Sequence, residues 1–95
     1  ALRWLWAEAL RARGYDADAL GWYSTLGTTN PFELPYLAPA ALRRGELLER
    51  QGRRREAAAE YARFVALWAD PDPELRPLVA DARRHLAALT ASERR

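Results

Sequence analysis

Apolar side chains in this chain recur at three- and four-residue intervals, in blocks separated by proline and glycine. Five blocks read as helices, near residues 1–13, 17–27, 37–51, 54–69 and 74–90. The first carries Leu2, Trp6, Ala9 and Leu10, and Gly14 supplies its stop. In the second, Asp16 stands where an N-cap belongs and Asp18 suits the first turn. Gly21 inside that block costs roughly 1 kcal/mol relative to alanine. The stretch GTTNPFELPYLAP, residues 27–39, reads as a loop, and Pro39 fits the first turn of the third helix. That helix presents Ala41, Leu42, Leu47 and Leu48 and closes at Gly52. The fourth runs through Ala58, Tyr61, Ala62, Val65 and Trp68 until ADPDP ends it. Asp72 and Pro73 read as cap and first residue of the fifth, although Pro77 moves the start toward Arg76. Its stripe is Leu75, Leu78, Val79, Ala82, Leu86 and Leu89.

Sliding the sequence on itself by 38 residues aligns Ala7 with Gly45, Leu10 with Leu48 and Gly14 with Gly52. Ala19 then meets Ala57, Tyr23 meets Tyr61 and Leu26 meets Phe64. The spacing has a physical reading. A small residue on the first helix of each pair admits the second helix closely. The glycine closes the turn in a left-handed conformation that a side chain resists. The alanine keeps the crossing tight, and the aromatic residue four positions on fills the space between helix pairs.

Composition narrows the class. The chain holds 20 alanines, 15 leucines and 15 arginines, with no lysine, isoleucine, methionine or cysteine. Two valines and no isoleucine exclude a β-rich fold, whereas Ala, Leu, Arg and Glu all favour helix. Ninety-five residues make one small domain, without a disulfide or thiolate staple. No apolar run is long enough to span a bilayer, so membrane insertion is not expected, and the expected compartment is the cytoplasm. The chain starts at Ala1 without methionine, which reads as a piece of something longer.

The paired pattern resembles the tetratricopeptide repeat, whose period is ~34 residues with the same small-residue, glycine-turn, alanine, aromatic signature. APAALRRGELLERQGRRREAAAEYARFVALWADP is the better copy, over residues 38–71; the first copy covers 1–33 and carries Ala7 where the second has Gly45. The last helix, 74–90, resembles the helix that caps such arrays. The expected fold is therefore all-α: two antiparallel helix-turn-helix repeats plus a capping helix, a fragment of an α-solenoid. The segment EYARFVALWADPDPELRPLVADARRHLAAL also resembles the C-terminal end of tetratricopeptide regions attached to bacterial serine/threonine kinases and transcriptional regulators. No Gly-rich loop, catalytic aspartate loop or magnesium motif accompanies it.

The resemblance implies protein or peptide recognition on the concave face lined by the first helix of each pair. On this chain that face comprises Trp4, Glu8 and Arg11, then Leu42, Arg43, Glu46, Glu49 and Arg50. The family's carboxylate-gripping version uses Lys and Asn at such positions, and a glutamate at position 8 would repel that ligand. Trp6, two residues from Trp4, points elsewhere and suits packing between helices, while Trp22 and Trp68 read as packing anchors.

The remaining chemistry is thin. One histidine, His85, follows Arg83-Arg84 and reads as surface or rim; there is no second imidazole or thiolate for zinc. No nucleophile–base set stands at a useful spacing, so no enzyme activity, small-molecule substrate or cofactor is expected. Arg53, Arg54 and Arg55 fan around a helix axis instead of forming a stripe, which disfavours nucleic acid. Three readings stay open: a module for a protein partner or for upstream repeats of its own parent chain; an element that self-associates through its apolar first helix; and an arginine-mediated nucleic-acid or anion binder.

Overall fold

A computed structural model describes residues 2–26, 36–68 and 73–93. Among these residues the fold is all-helical: α1 (Leu2–Ala12), α2 (Asp16–Tyr23), α3 (Leu37–Arg50), α4 (Arg54–Leu67) and α5 (Arg76–Glu93). No helix among them is long and apolar enough to cross a membrane. Each helix packs chiefly on its neighbour in sequence. Of the expected loop at 27–39, residues 27–35 lie outside the described residues and 37–39 belong to α3; the end of the first repeat and the Asp72 cap also lie outside.

The turns between α1 and α2 and between α3 and α4 use the same bonds at matched positions. Gly14 N–H donates to the Arg11 carbonyl at 3.0 Å and Tyr15 N–H to the Leu10 carbonyl at 2.9 Å. Gly52 N–H donates to the Glu49 carbonyl at 3.0 Å and Arg53 N–H to the Leu48 carbonyl at 2.9 Å. Both are Schellman closures, which satisfy helix-end carbonyls through a left-handed residue. The two glycines supply it, with φ of 85° and 77°.

The crossing of α3 and α4 depends on the absence of a side chain. A Cβ built on Gly45 would meet the Tyr61 ring at 3.1 Å, so the ring lies directly on the α3 backbone. Ala7 holds the matching position on α1 and is fully buried.

Apolar burial divides into two clusters. Ala7, Ala19, Tyr23 and Leu26 gather with Ala40 and Leu47 of α3. Ala38, Ala41 and Leu48 of α3 join Ala57, Tyr61 and Phe64 of α4 and Val79, Ala82 and Leu89 of α5. The adjacent pairs Ala40/Ala41 and Leu47/Leu48 thus serve opposite neighbours, as successive helical residues about 100° apart must when a helix is sandwiched. Leu20 packs against both clusters.

Several local expectations shift. Asp16 is the first residue of α2, not its cap; Tyr15 holds the cap position without a side-chain bond. Its carboxylate meets the Arg50 guanidinium at 3.1 Å, an ion pair that draws it off the helix end. Pro73 lies in a turn and α5 begins at Arg76, because Pro77 is tolerated only in a first turn. On α4 the buried residues are Ala57, Tyr61 and Phe64, while Ala62 faces solvent. Of the α1 tryptophans, Trp6 does not pack between helices as expected. Trp6 is 54% exposed, whereas Trp4 packs on Tyr23 and Tyr36 with ring centroids 5.4 and 5.6 Å away. Trp22 is 40% exposed and anchors little. Trp68 does pack, with its ring 5.0 Å from Phe64.

Candidate functional site

Four of the residues singled out, Glu8, Arg11, Arg43 and Glu46, form a connected polar lattice. Glu8 of α1 is its hub. Its carboxylate accepts bonds from Arg11 at 3.2 Å, from the Arg43 Nε of α3 at 3.0 Å, and from the Tyr23 hydroxyl of α2. Arg43 Nη1 continues to Glu46 at 3.2 Å. Partial burial pushes the Glu8 carboxyl up, but the bonds from Tyr23 and Arg11 and the Arg43 charge outweigh it, holding the carboxyl below its ordinary range. Arg11 moves the opposite way. Burial lowers its guanidinium, yet bonds with Glu8 and Tyr23 leave it raised. Glu8 is therefore a spoke between hairpins, not a free charge facing a ligand.

A second junction joins α3, α4 and α5. One oxygen of Glu49 accepts the Tyr61 hydroxyl at 2.8 Å and meets His85 Nδ1 at 2.9 Å. The other ring nitrogen of His85 lies 3.6 Å from Asp81, and the imidazole sits 5.3 Å from the Tyr61 ring. Burial first, then the Glu49 bond and charge, pushes the Tyr61 phenol far above its ordinary value. Tyr23 is raised in the same way, by burial and then by Glu8.

The matched tyrosines solve one problem with different partners. Each buries its ring and must give its hydroxyl an acceptor. Tyr23 uses Glu8, whereas Tyr61 uses Glu49, one turn beyond the residue matching Glu8. Position 11, which matches 49, holds arginine in the first pair.

These junctions border two adjoining clefts. One, of about 300 Å³, is lined by Trp4 and Pro39, by Leu42, Arg43 and Glu46 of α3, by Tyr61 and Trp68, and by Leu78, Asp81 and His85 of α5. The other, of about 330 Å³, is lined by Arg11, Glu46, Glu49, Arg50, Tyr61 and His85. Glu46, Tyr61 and His85 belong to both, so the clefts make one groove running from Trp4 to Arg50. Of the eight residues singled out, seven line it, and Glu8 stands behind it holding Arg11 and Arg43. Arg50, at its open end, also pairs with Asp16.

The α5 wall was missed. His85 is partly exposed, as a rim residue would be, but it is also bonded to Glu49. A signal was present, because His85 lies seven residues after Leu78, three after Ala82 and four before Leu89, at the edge of the apolar stripe. Neither its neighbours Arg83-Arg84 nor its type indicated the partner.

The triple arginine lies outside the groove. Arg53 meets Glu56 of its own helix, and Arg53, Arg54 and Arg55 are exposed. No family model, curated protein or solved structure matches the chain.

Proposed function

We propose that this chain is a non-catalytic interaction module of tetratricopeptide type, which takes a segment of a partner protein along the groove bounded by α1, α3 and α5. The carrying observation is the groove itself, whose apolar positions Trp4, Leu42 and Leu78 alternate with paired charges. Apolar contact with a few placed polar groups is how such surfaces gain affinity and then orientation. The matched Schellman turns and the Gly45–Tyr61 crossing support the repeat reading.

A displayed library of random peptides, selected on the whole chain, tests the proposal. Selected peptides lose at least about tenfold in affinity on Leu42→Arg, which replaces an apolar contact by a long charged side chain that fills the groove. The control variant Arg54→Ala leaves binding unchanged. Peptides that ignore Leu42→Arg while the variant keeps its fold would refute it.

The outer face of α1 favours a second reading, self-association. Leu2 is 85% exposed and Leu5 63% exposed, beside the exposed Trp6. Light scattering across a concentration series decides it, since a monomer that persists at high concentration removes this reading.

A further inference from the structure

The cleft between α3 and α5 has a chemistry of its own, and we infer that it receives an arginine side chain presented by the partner peptide. This rests on the groove reading above. A volume of about 300 Å³ is at the small end of ligand sites, suited to one long side chain and its neighbours.

Its walls are aromatic. Trp4, Trp68 and His85 line them, and the Tyr61 ring, buried against Gly45 and His85, lies behind. A planar cation gains attraction over such ring faces. Two carboxylates on opposite helices, Glu46 of α3 and Asp81 of α5, border the same space.

Competing charges are already engaged. Arg43, which also lines the cleft, bonds Glu8 at 3.0 Å and Glu46 at 3.2 Å, so it shares its charge between two carboxylates. Asp81 pairs with Arg84 at 2.9 Å on the exposed side of α5. Exposed pairs of this kind are weak and exchange readily for a better partner. His85 meets Glu49 at 2.9 Å through one nitrogen and stands 3.6 Å from Asp81 with the other, a looser contact.

An anionic ligand would meet Glu46 and Asp81, and a purely apolar one would strip water from both without replacing it. A lysine satisfies the charge but not the geometry. Its compact ammonium cannot stack flat on an indole and fork to a carboxylate, as a guanidinium does.

The test uses the whole chain and blocked pentapeptides Ala-Leu-Xaa-Leu-Ala in which Xaa is arginine, lysine, citrulline or glutamate. Binding is read from indole fluorescence and from the indole N–H resonances of Trp4 and Trp68. Arginine binds about tenfold tighter than citrulline, its uncharged isostere, with lysine between them, and perturbs both indoles. The double variant Glu46→Gln/Asp81→Asn brings arginine and citrulline within about twofold, with its helical signal and melting curve checked first. Glu46→Gln alone gives an intermediate loss.

Equal binding of arginine and citrulline, or preference for glutamate, overturns the inference. If all four probes bind equally and Leu42→Arg abolishes them, the groove reading survives and the arginine assignment fails. If arginine is preferred but the Trp4 and Trp68 resonances stay fixed, the site is elsewhere and the assignment fails as well.

Discussion

Replacing Gly45 and Gly21 separately by alanine makes one chemical change in two helices with opposite expected signs. Both substitutions remove the conformational freedom of glycine and gain about 0.5–1 kcal/mol of helix stability. At Gly21 nothing among the described residues lies within 4 Å of the added methyl, so the full gain is expected. At Gly45 the methyl lands 3.1 Å from two carbons of the Tyr61 ring and 3.3 Å from a third. Tyr61 has little room to yield. It is 1% exposed, its hydroxyl is held by Glu49 at 2.8 Å, and its ring lies against His85. Overpacking in such a site costs about 1–3 kcal/mol, which exceeds the propensity gain. Gly45→Ala should therefore lose up to about 2 kcal/mol, while Gly21→Ala gains up to about 1 kcal/mol. In a domain of this size each kilocalorie moves Tm by about 4–8 °C. Thermal and urea melts followed by circular dichroism resolve the difference. Adding Tyr61→Leu to Gly45→Ala should relieve part of the strain, giving a favourable coupling in the double-mutant cycle. A Gly45→Ala protein stabilised as much as Gly21→Ala would refute the close crossing of α3 and α4.

The remaining predictions concern the turns and the polar lattice. Gly14→Ala and Gly52→Ala each force a side chain into the left-handed region and should cost about 1–2 kcal/mol, read from urea midpoints. Since the two turns share no bonding partner, their costs should add. Glu8 has a folded-state pKa below its ordinary value of 4.5, so its contribution is present above that value and is lost as pH falls through the folded pKa. An acid stability profile should therefore flatten in Glu8→Gln below about pH 4.5, at a lower plateau near neutrality. Tyr23 and Tyr61 are raised well above ordinary phenols, so their neutral forms stabilise the fold until pH rises through the shifted values. Phenolate absorbance should show two tyrosines ionising only with unfolding, and Tyr23→Phe/Tyr61→Phe should remove that late phase.

Much of the helical framework was legible because its signals are local. Gly14 and Gly52 announced the turns through a backbone need that few other residues meet. The sequence match of Ala7 with Gly45 and of Tyr23 with Tyr61 marked the crossings, since a close approach of backbones requires a missing or minimal side chain. The α3 half of the groove was expected from the family resemblance, and Leu42, Arg43 and Glu46 all border it.

Other features were not written in any local pattern. Periodicity states that α1 has an apolar side but not which side another helix will cover, so Trp6 is left exposed while Trp4 packs on Tyr23 and lines the groove. Long polar side chains add a second ambiguity, because their reach spans more than one turn. Glu8 could face a ligand or tie hairpins together, and only the arrival of Tyr23 and Arg43 decided it. His85 became part of the groove when α5 packed on α4 and carried the imidazole to Glu49, a residue 36 positions away. Helix formation and turn geometry are thus properties that neighbouring residues set. The charge, shape and chemistry of the groove arise where three helices meet, and no neighbouring residues encode that meeting.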